Sequence, residues 1–439
     1  MFYSHDWYPV RVRTAYRCRA YPDEAQQQVL LRTFGCVRVV WNRTLAARHA
    51  RYAAEGKGTS YAETDRALTA MKKTPDLAFL GEVSSVPLQQ ALRHQHAAFS
   101  AFFDGRARYP RYKSRNGRQS AHYTRAAFRI RDGELWLAKS SAPLKFIWSW
   151  PEVDFATLNP STVIVARESD GRWYVTFTVD TDNPEPLPGT GRAVGVDLGV
   201  KDFAALSTGQ KIANPGHLER KARNLARYQR RLACAQKGSA NRAKAKAKVA
   251  RAHRKVADAR RDFLHKTSTA LVRCHDVIAI EDLNISGMTR RPEPRPDGNG
   301  GHQRNGAAAK AGLNKSVLDA GLGEFRRQLE YKTERYGRTL VVIDRWFPSS
   351  KTCSACGHLL KELSLKTRHW SCPSCGTRHD RDVNAAKNIL AAGQAAARSA
   401  PGDACGADVR HPGTSRVRSA VKQEPRPVRA AIPVVQGGE

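Results

Sequence analysis

Between residues 10 and 19 the chain alternates. Val10, Val12, Thr14, Tyr16 and Cys18 fall on one side and Arg11, Arg13, Arg17 and Arg19 on the other, which predicts a strand with an apolar back and a basic front. After Pro22 the period changes. Leu30, Phe34, Val37, Trp41 and Leu45 recur at spacings of four, three, four and four, behind an Asp23 placed to cap a helix. Gly35 falls inside this run, and the pattern predicts two short helices around it that share one apolar side, a packing pair before a reader of DNA bases. Helical periods also cover 61–71 and 87–103, the second with Leu88, Ala91, Leu92, Gln95, Ala98, Phe99 and Phe102 on one face. Asp132-Gly133 joins 128–131 to 134–139, and Asp170-Gly171 joins 162–167 to 173–179, each a hairpin signature. Together with the basic strand these hairpins predict a small antiparallel barrel.

The second half reads differently. In 193–200, Val194, Val196 and Leu198 share one face and Ala193, Gly195, Asp197 and Gly199 the other. Asp197 thus stands among very small neighbours, and glycine inside a strand often marks a close approach, here expected to be that of a metal ion and a phosphodiester. Residues 276–283 form a continuous apolar run, as a strand covered on both faces requires, ending in Glu281 and Asp282. Residues 340–343 end likewise in Asp344, read as structural and paired with Arg345. The helical stretch 218–263 is crowded with basic residues and turns near Gly238-Ser239. Residues 290–312, rich in Pro, Gly and Asn, read as a mobile loop whose place beside Glu281 suggests a lid. The Pro- and Gly-rich end of the chain reads as a disordered tail.

Cys353 and Cys356 form one C-x2-C pair and Cys372 and Cys375 another, with fifteen residues between them. Each pair suits a tight knuckle, with Gly357 and Gly376 just past it, so four thiolates can converge on one zinc ion. Such a set leaves no open coordination position, which makes the zinc structural. Cys18, Cys36, Cys234, Cys274 and Cys405 remain as ordinary reduced thiols. Directly after the ribbon, Asp380 and Asp382 precede an Ala-rich apolar run. Either can simply cap a helix. With Asp197 and Glu281 at strand ends, however, a third carboxylate suggests a two-metal site, in which Mg²⁺ ions about 3.5–4 Å apart promote phosphodiester hydrolysis.

Charge supports a polyanionic partner. Lys and Arg number 74 against 40 Asp and Glu, a net charge of +34, so binding should weaken steeply with salt. No run of about twenty apolar residues spans a membrane and no signal-peptide core opens the chain, so a cytoplasmic protein is expected. Arg11, Arg13, Arg17 and Arg19 have no acid among them on their strand and should repel one another unless phosphates lie nearby. In 105–115, Arg108, Tyr109, Arg111, Tyr112 and Lys113 interleave rings with cations, suited to stacked bases and backbone phosphates. Arg227, Arg230, Arg231, Lys244, Lys248 and Arg251 are the corresponding candidates in the basic hairpin.

The stretches GVDLGVKDFAALSTG, IAIEDLNISGM, WFPSSKTCSACG and HDRDVNAAKNIL, in this order, resemble the split RuvC nuclease domain and inserted zinc ribbon of the TnpB/OrfB proteins. YPRYK and the helical start resemble the same family. The resemblance covers most of the chain and implies a transposon-encoded, RNA-guided DNA endonuclease related to compact type V CRISPR effectors. Its partners would be a guide RNA from the transposon end and a double-stranded DNA target, and its role would be retention of the element by cutting the vacated donor site. Carried over by motif, the catalytic, Mg²⁺-holding triad falls on Asp197, Glu281 and Asp382, with Asp380 as the fallback for the third place. The structural zinc falls on the four cysteines named above. A nuclease-inactive RNA-guided or zinc-ribbon DNA-binding repressor is the alternative, disfavoured because all three acidic positions are filled. A strand-exchanging transposase is not implied.

The resulting expectation is an α+β chain. Residues 1–21 and 120–181 form a wedge barrel around a helical recognition lobe at 22–119, and 182–192 link it to an RNase H-like (RuvC) nuclease domain at 193–348. A zinc ribbon at 349–378, a final motif and helix at 379–394 and a disordered tail at 395–439 complete it.

Overall fold

The computed structural model describes residues 11–182, 185–298, 301–364 and 366–398. Cys405 and nearly all of the expected tail lie outside them.

Strand β1 (Arg11–Ala20) leads into helices α1 (Glu24–Glu55), α2 (Tyr61–Met71) and α3 (Ser85–Phe103). Capping boxes start the first two, Asp23 with Gln26 and Ser60 with Glu63. The break expected at Gly35 does not occur, and α1 is one helix of 32 residues. A mid-helix glycine costs only about 1 kcal/mol. That is offset because Leu30 and Phe34 bury in the neighbouring sheet while Cys36, Val37 and Val40 bury with Leu68 of α2 and Leu88 and Leu92 of α3. Gly35 itself lines an open cleft of about 570 Å³ with Arg38, Arg115 and Lys246.

Strands β2 (Gln119–Thr124), β3 (Phe128–Arg131), β4 (Glu134–Leu137), β5 (Phe146–Ile147), β6 (Thr162–Arg167) and β7 (Trp173–Asp182) follow. An antiparallel sheet runs β2-β6-β7-β1-β5, and β3–β4 is a separate hairpin. The turn residues Asp132 and Gly133 have φ of 53° and 74°, as an Asp-Gly hairpin requires. The ladder ends at β2 and β5 and does not close into the expected barrel. Instead, the hairpin folds Phe128, Leu135 and Leu137 over the face that carries Tyr16, Cys18, Val175 and Phe177. Alternation identified the strands, but whether two edges meet is not coded by it.

The second sheet contains β8 (Ala193–Leu198), β9 (Asp202–Leu206) and β10 (Lys211–Ala213). Helices α4 (His217–Cys234) and α5 (Ala240–Cys274) form the basic hairpin, with Gly238 at φ 86° in its turn and Ser239 capping α5. Then come β11 (Val277–Glu281), α6 (Ile285–Met288), α7 (Ala307–Ala320), α8 (Leu322–Arg335) and β12 (Thr339–Ile343). The expected loop 290–312 therefore ends early, because its Ala-rich end already belongs to α7. Strand order is β10-β9-β8-β11-β12, parallel across β8, β11 and β12 and antiparallel at β9 and β10.

One face of this sheet packs Val194, Val196, Ile278, Ile280 and Leu340 against Leu264, Leu271 and Val272 of α5 and Phe325 and Leu329 of α8. The short strands β13 (His369–Ser371) and β14 (Arg378–Asp380) then lead into α9 (Arg381–Arg398), which covers the other face. The expected linker is anchored: Asp276 accepts hydrogen bonds from the Thr190 and Gly191 amides and pairs with Arg338. Those amides, with Arg338, hold the Asp276 carboxyl below its ordinary range. Among the described residues no helix is long and apolar enough to cross a membrane.

Candidate active site

Parallel register sets Ala193 beside Val277, Gly195 beside Ala279 and Val196 beside Ile280. The next residues on β8 and β11 are Asp197 and Glu281, on the face covered by α9. The closeness of α9 explains the small residues. A Cβ on Gly195 would lie 2.0 Å from the Ala386 carbonyl oxygen and 2.7 Å from the Leu390 nitrogen, and one on Gly393 would lie 2.7 Å from Ala279 Cβ. Gly195 thus admits a helix, where the sequence suggested an approaching ion and phosphodiester. Gly199 serves the tight turn into β9, since a Cβ there would lie 2.8 Å from the Asp202 oxygen.

This packing brings the first turn of α9 to the carboxyl ends of β8 and β11. Burial, then the nearby Asp382 and Glu281 carboxylates, push Asp197 up to about 7, against the pull of Arg381 and Lys211. Burial, then Asp282, raises Glu281 as well. Asp380 does different work. Its Oδ1 accepts the Asp382 and Val383 amides, and its Oδ2 lies 2.7 Å from Lys211 Nζ. Although burial opposes it, these bonds hold Asp380 below the usual carboxylate range. Lys211 reaches Asp382 at 4.0 Å and Asp202 at 3.9 Å. Asp380 is therefore cap and ion-pair partner, and Asp382 the carboxylate whose field reaches Asp197.

Asp282 points away and binds Arg326 and Arg345. Arg345 is thus not the partner of Asp344, which instead accepts the Trp346 amide at 2.7 Å. Among the described residues, the four cysteines form the one cluster whose ligand atoms all lie within 4.8 Å of one another. The three carboxylates are spread wider than that. Their donor chemistry still suits hard divalent cations, since half-buried carboxylates that repel one another gain from a positive ion among them.

Cys353, Cys356, Cys372 and Cys375 converge as expected, with sulfurs 3.7 Å apart for Cys353 and Cys375 and 3.6 Å for Cys356 and Cys372. Gly357 at φ 77° and Gly376 at φ 74° close the two knuckles, each donating its amide to the first cysteine of its pair at 2.9 Å. Four soft sulfurs at this spacing fit tetrahedral zinc. The roles of four residues escaped the sequence reading. The Thr377 hydroxyl lies 3.2 Å from Cys375 Sγ and holds that thiol below its ordinary range, and His379 Nε2 lies 3.0 Å from Cys353 Sγ. Asn384 and Asn388 of α9 donate to the Thr352 carbonyl at 2.7 and 2.6 Å and also reach Ser349. Their i, i+4 spacing was the available signal.

A family model described as "Probable transposase", from the OrfB group, matches residues 176–291, one described as "Helix-turn-helix domain" matches 12–57, and one described as "Cas12f1-like, TNB domain" matches 323–389. A Streptomyces pristinaespiralis protein bearing an RNA-guided DNA endonuclease name is 48% identical over 96% of this chain and 99% of its own. The chain belongs to the TnpB/OrfB family. InsQ of Escherichia coli K12, also named for RNA-guided DNA cutting, is 32% identical over 87% of this chain and 92% of its own. The fold of this TnpB/OrfB chain is similar to that of Cas12f1 in its complex with guide RNA and target DNA, at TM-score 0.52 and 13% identity over 87% of this chain and 99% of that one. The stretch matched as helix-turn-helix holds β1 and the unbroken α1.

The expected nucleic-acid residues of this TnpB/OrfB chain divide into two sets. Arg13 pairs with Asp180 and Arg17 with Glu168, and Arg17 lies 4.0 Å over the Tyr174 ring, so acids on neighbouring segments relieve the repulsion expected on β1. Arg19 lies over Tyr21 and Tyr174, and of Arg11 only the strand position is described. Lys113 rests 4.2 Å over Trp41, with its backbone clamped by Asn42, and Tyr109 packs on Phe99 and Phe102. Arg108, Arg111 and Tyr112 are exposed, as are Arg227, Arg230, Arg231, Lys244, Lys248 and Arg251. Arg254, in contrast, is spent inside the fold, reaching Glu168 at 2.9 Å and Asp170 at 3.7 Å.

Proposed function

We propose that this protein is a transposon-encoded, RNA-guided DNA endonuclease with a RuvC-like nuclease domain and an inserted zinc ribbon. The observation that carries the reading is the meeting of Asp197, Glu281 and Asp382, from two parallel strands and the helix packed on them, with Asp197 raised to about 7 by burial first and then by the other two carboxylates. The names of the Streptomyces and Escherichia relatives support the guided activity. These three carboxylates would hold Mg²⁺, which supplies activation of water and stabilisation of the leaving oxygen. Lys211 steadies Asp380 and Asp382 and tempers their charge. The cysteines would hold zinc, which keeps the ribbon folded. The exposed cations of α4 and α5 take backbone phosphates of the guide RNA from the transposon end and of its double-stranded DNA target. Cutting the donor site left by the element supports its retention. The test is to sequence the RNA that copurifies with the protein, then offer DNA matched to it with Mg²⁺. A transposon-end guide, and cutting lost in Asp197→Ala with DNA binding kept, is expected. Random cellular RNA or undiminished cutting refutes the reading.

A further inference from the structure

Trp346 is the one exposed tryptophan among the described residues, with 85% of its surface free. Trp41, Trp173 and Trp370 are buried. An indole left in water forgoes the favourable burial of its large apolar surface, so its setting matters. The Trp346 backbone is fixed. Its amide donates to Asp344 Oδ1, the Phe347 amide donates to the Asp344 carbonyl at 3.2 Å, and the Phe347 ring packs in the core of Ala279, Ile343 and Ile389. Two residues on, buried Ser349 accepts from Asn388. The chain therefore turns Phe347 partly into the core and presents Trp346 from a pinned turn.

The turn stands beside the carboxylates. Ile343, the last residue of β12, is the register partner of Glu281, and its carbonyl accepts the Asp282 amide. Arg345, next to Trp346, is tied to Asp282. Three residues of chain reach at most about 10 Å and adjacent strands lie about 5 Å apart, so Trp346 stands within about 15 Å of Glu281, roughly four to five nucleotide steps at about 3.4 Å per step along a strand.

We infer that Trp346 is a stacking platform for one unpaired DNA base of the strand whose phosphate lies at Asp197 and Glu281. The inference rests on the nuclease reading and deepens it by naming the form of substrate. A base inside a duplex has both faces covered, so a fixed indole can take only a base that has left the helix. The site then accepts an opened strand and holds its phosphate in register. Stacking carries no hydrogen-bond code, so the platform adds no sequence preference.

The test compares Trp346→Ala and Trp346→Phe with the parent complex on DNA matched to the copurified RNA, using substrates that lack one base at successive positions around the cut. Loss of a base–aromatic stack predicts slower cutting by Trp346→Ala, on the order of 5- to 100-fold, with Trp346→Phe closer to the parent. One abasic position should slow the parent enzyme and have no further effect in Trp346→Ala. Melting temperature should be unchanged, since the side chain is exposed. If Trp346→Ala cuts at the parent rate while Asp197→Ala does not cut, the platform is refuted and the nuclease reading stands. Equal losses in both variants at every abasic position, or a change of oligomeric state, also refute it in favour of a protein contact. Undiminished cutting by Asp197→Ala overturns both.

Discussion

Asp197 and Glu281 follow directly on Val196 and Ile280, the last paired residues of two parallel strands, so two carboxylates meet on a face that α9 keeps from water. Water screens these half-buried groups only in part, and their charges add to that of Asp382. In the metal-free protein this costs stability.

Asp197→Asn should therefore stabilise the metal-free protein while abolishing Mg²⁺-dependent cutting. Asp197 titrates at about 7, above its ordinary 3.8, so the neutral form favoured by the fold is present at low pH and lost as pH rises through 7. The gain in Tm should be absent below about pH 4, partial at pH 5 and largest above pH 7, at roughly 2–4 °C per kcal/mol relieved. Thermal melts in chelator at both pH values check it, and a gain independent of pH contradicts the assignment.

The two aspartates at the start of α9 should separate cleanly. Asp382→Ala should stop cutting and keep DNA binding. Asp380→Asn loses part of a cap and the bond to Lys211, should cost about 1 kcal/mol of stability, and should still cut. A reversal of the two cleavage results would move the third carboxylate to Asp380.

Zinc and cutting should be linked. Cys372→Ser should release the metal, and because Asn384 and Asn388 fasten α9 to the carbonyls before the first knuckle, it should also loosen the helix that carries Asp382. Metal content near zero with cutting reduced at least tenfold is expected. A tightly held zinc in this variant argues against the four-cysteine set.

Gly195→Ala should be severe, since its Cβ would sit 2.0 Å from a backbone oxygen of α9. Overpacking of this kind costs about 1–3 kcal/mol or more, and displacement of α9 carries Asp382 with it. Denaturant melts and cutting rates should fall together, whereas Gly35→Ala, with open space around it, should leave both at or above the parent level.

Replacing Arg227, Arg230 and Arg231 together by Ala should flatten the plot of log affinity against log salt by up to about 2.7, near 0.9 for each phosphate no longer neutralised. Arg254→Ala leaves the buried Asp170 carboxylate with Arg172 alone and takes a partner from Glu168, and should appear in the melting curve instead. An unchanged slope in the triple variant places the nucleic acid on another surface.

Residue spacing was enough to mark the longer strands, most helical periods and the cysteine set and to nominate the acids, because each rests on a short stretch and on chemistry that few residue types supply, while the strands β2, β5, β13 and β14 left no such signal. Alternation marked β1 and β7, and C-x2-C spacing brought four sulfurs together. Spacing could not decide which of Asp380 and Asp382 meets Asp197, since both sit at a helix start. That choice was made by α9 lying against Gly195, an approach between residues nearly two hundred positions apart. The continuity of α1 through Gly35 was settled by two cores that bury its successive turns. The open wedge sheet and the pairing of Arg13, Arg17 and Arg254 with distant acids were likewise tertiary results. Local pattern shows which face a side chain takes, and only packing shows what waits on that face.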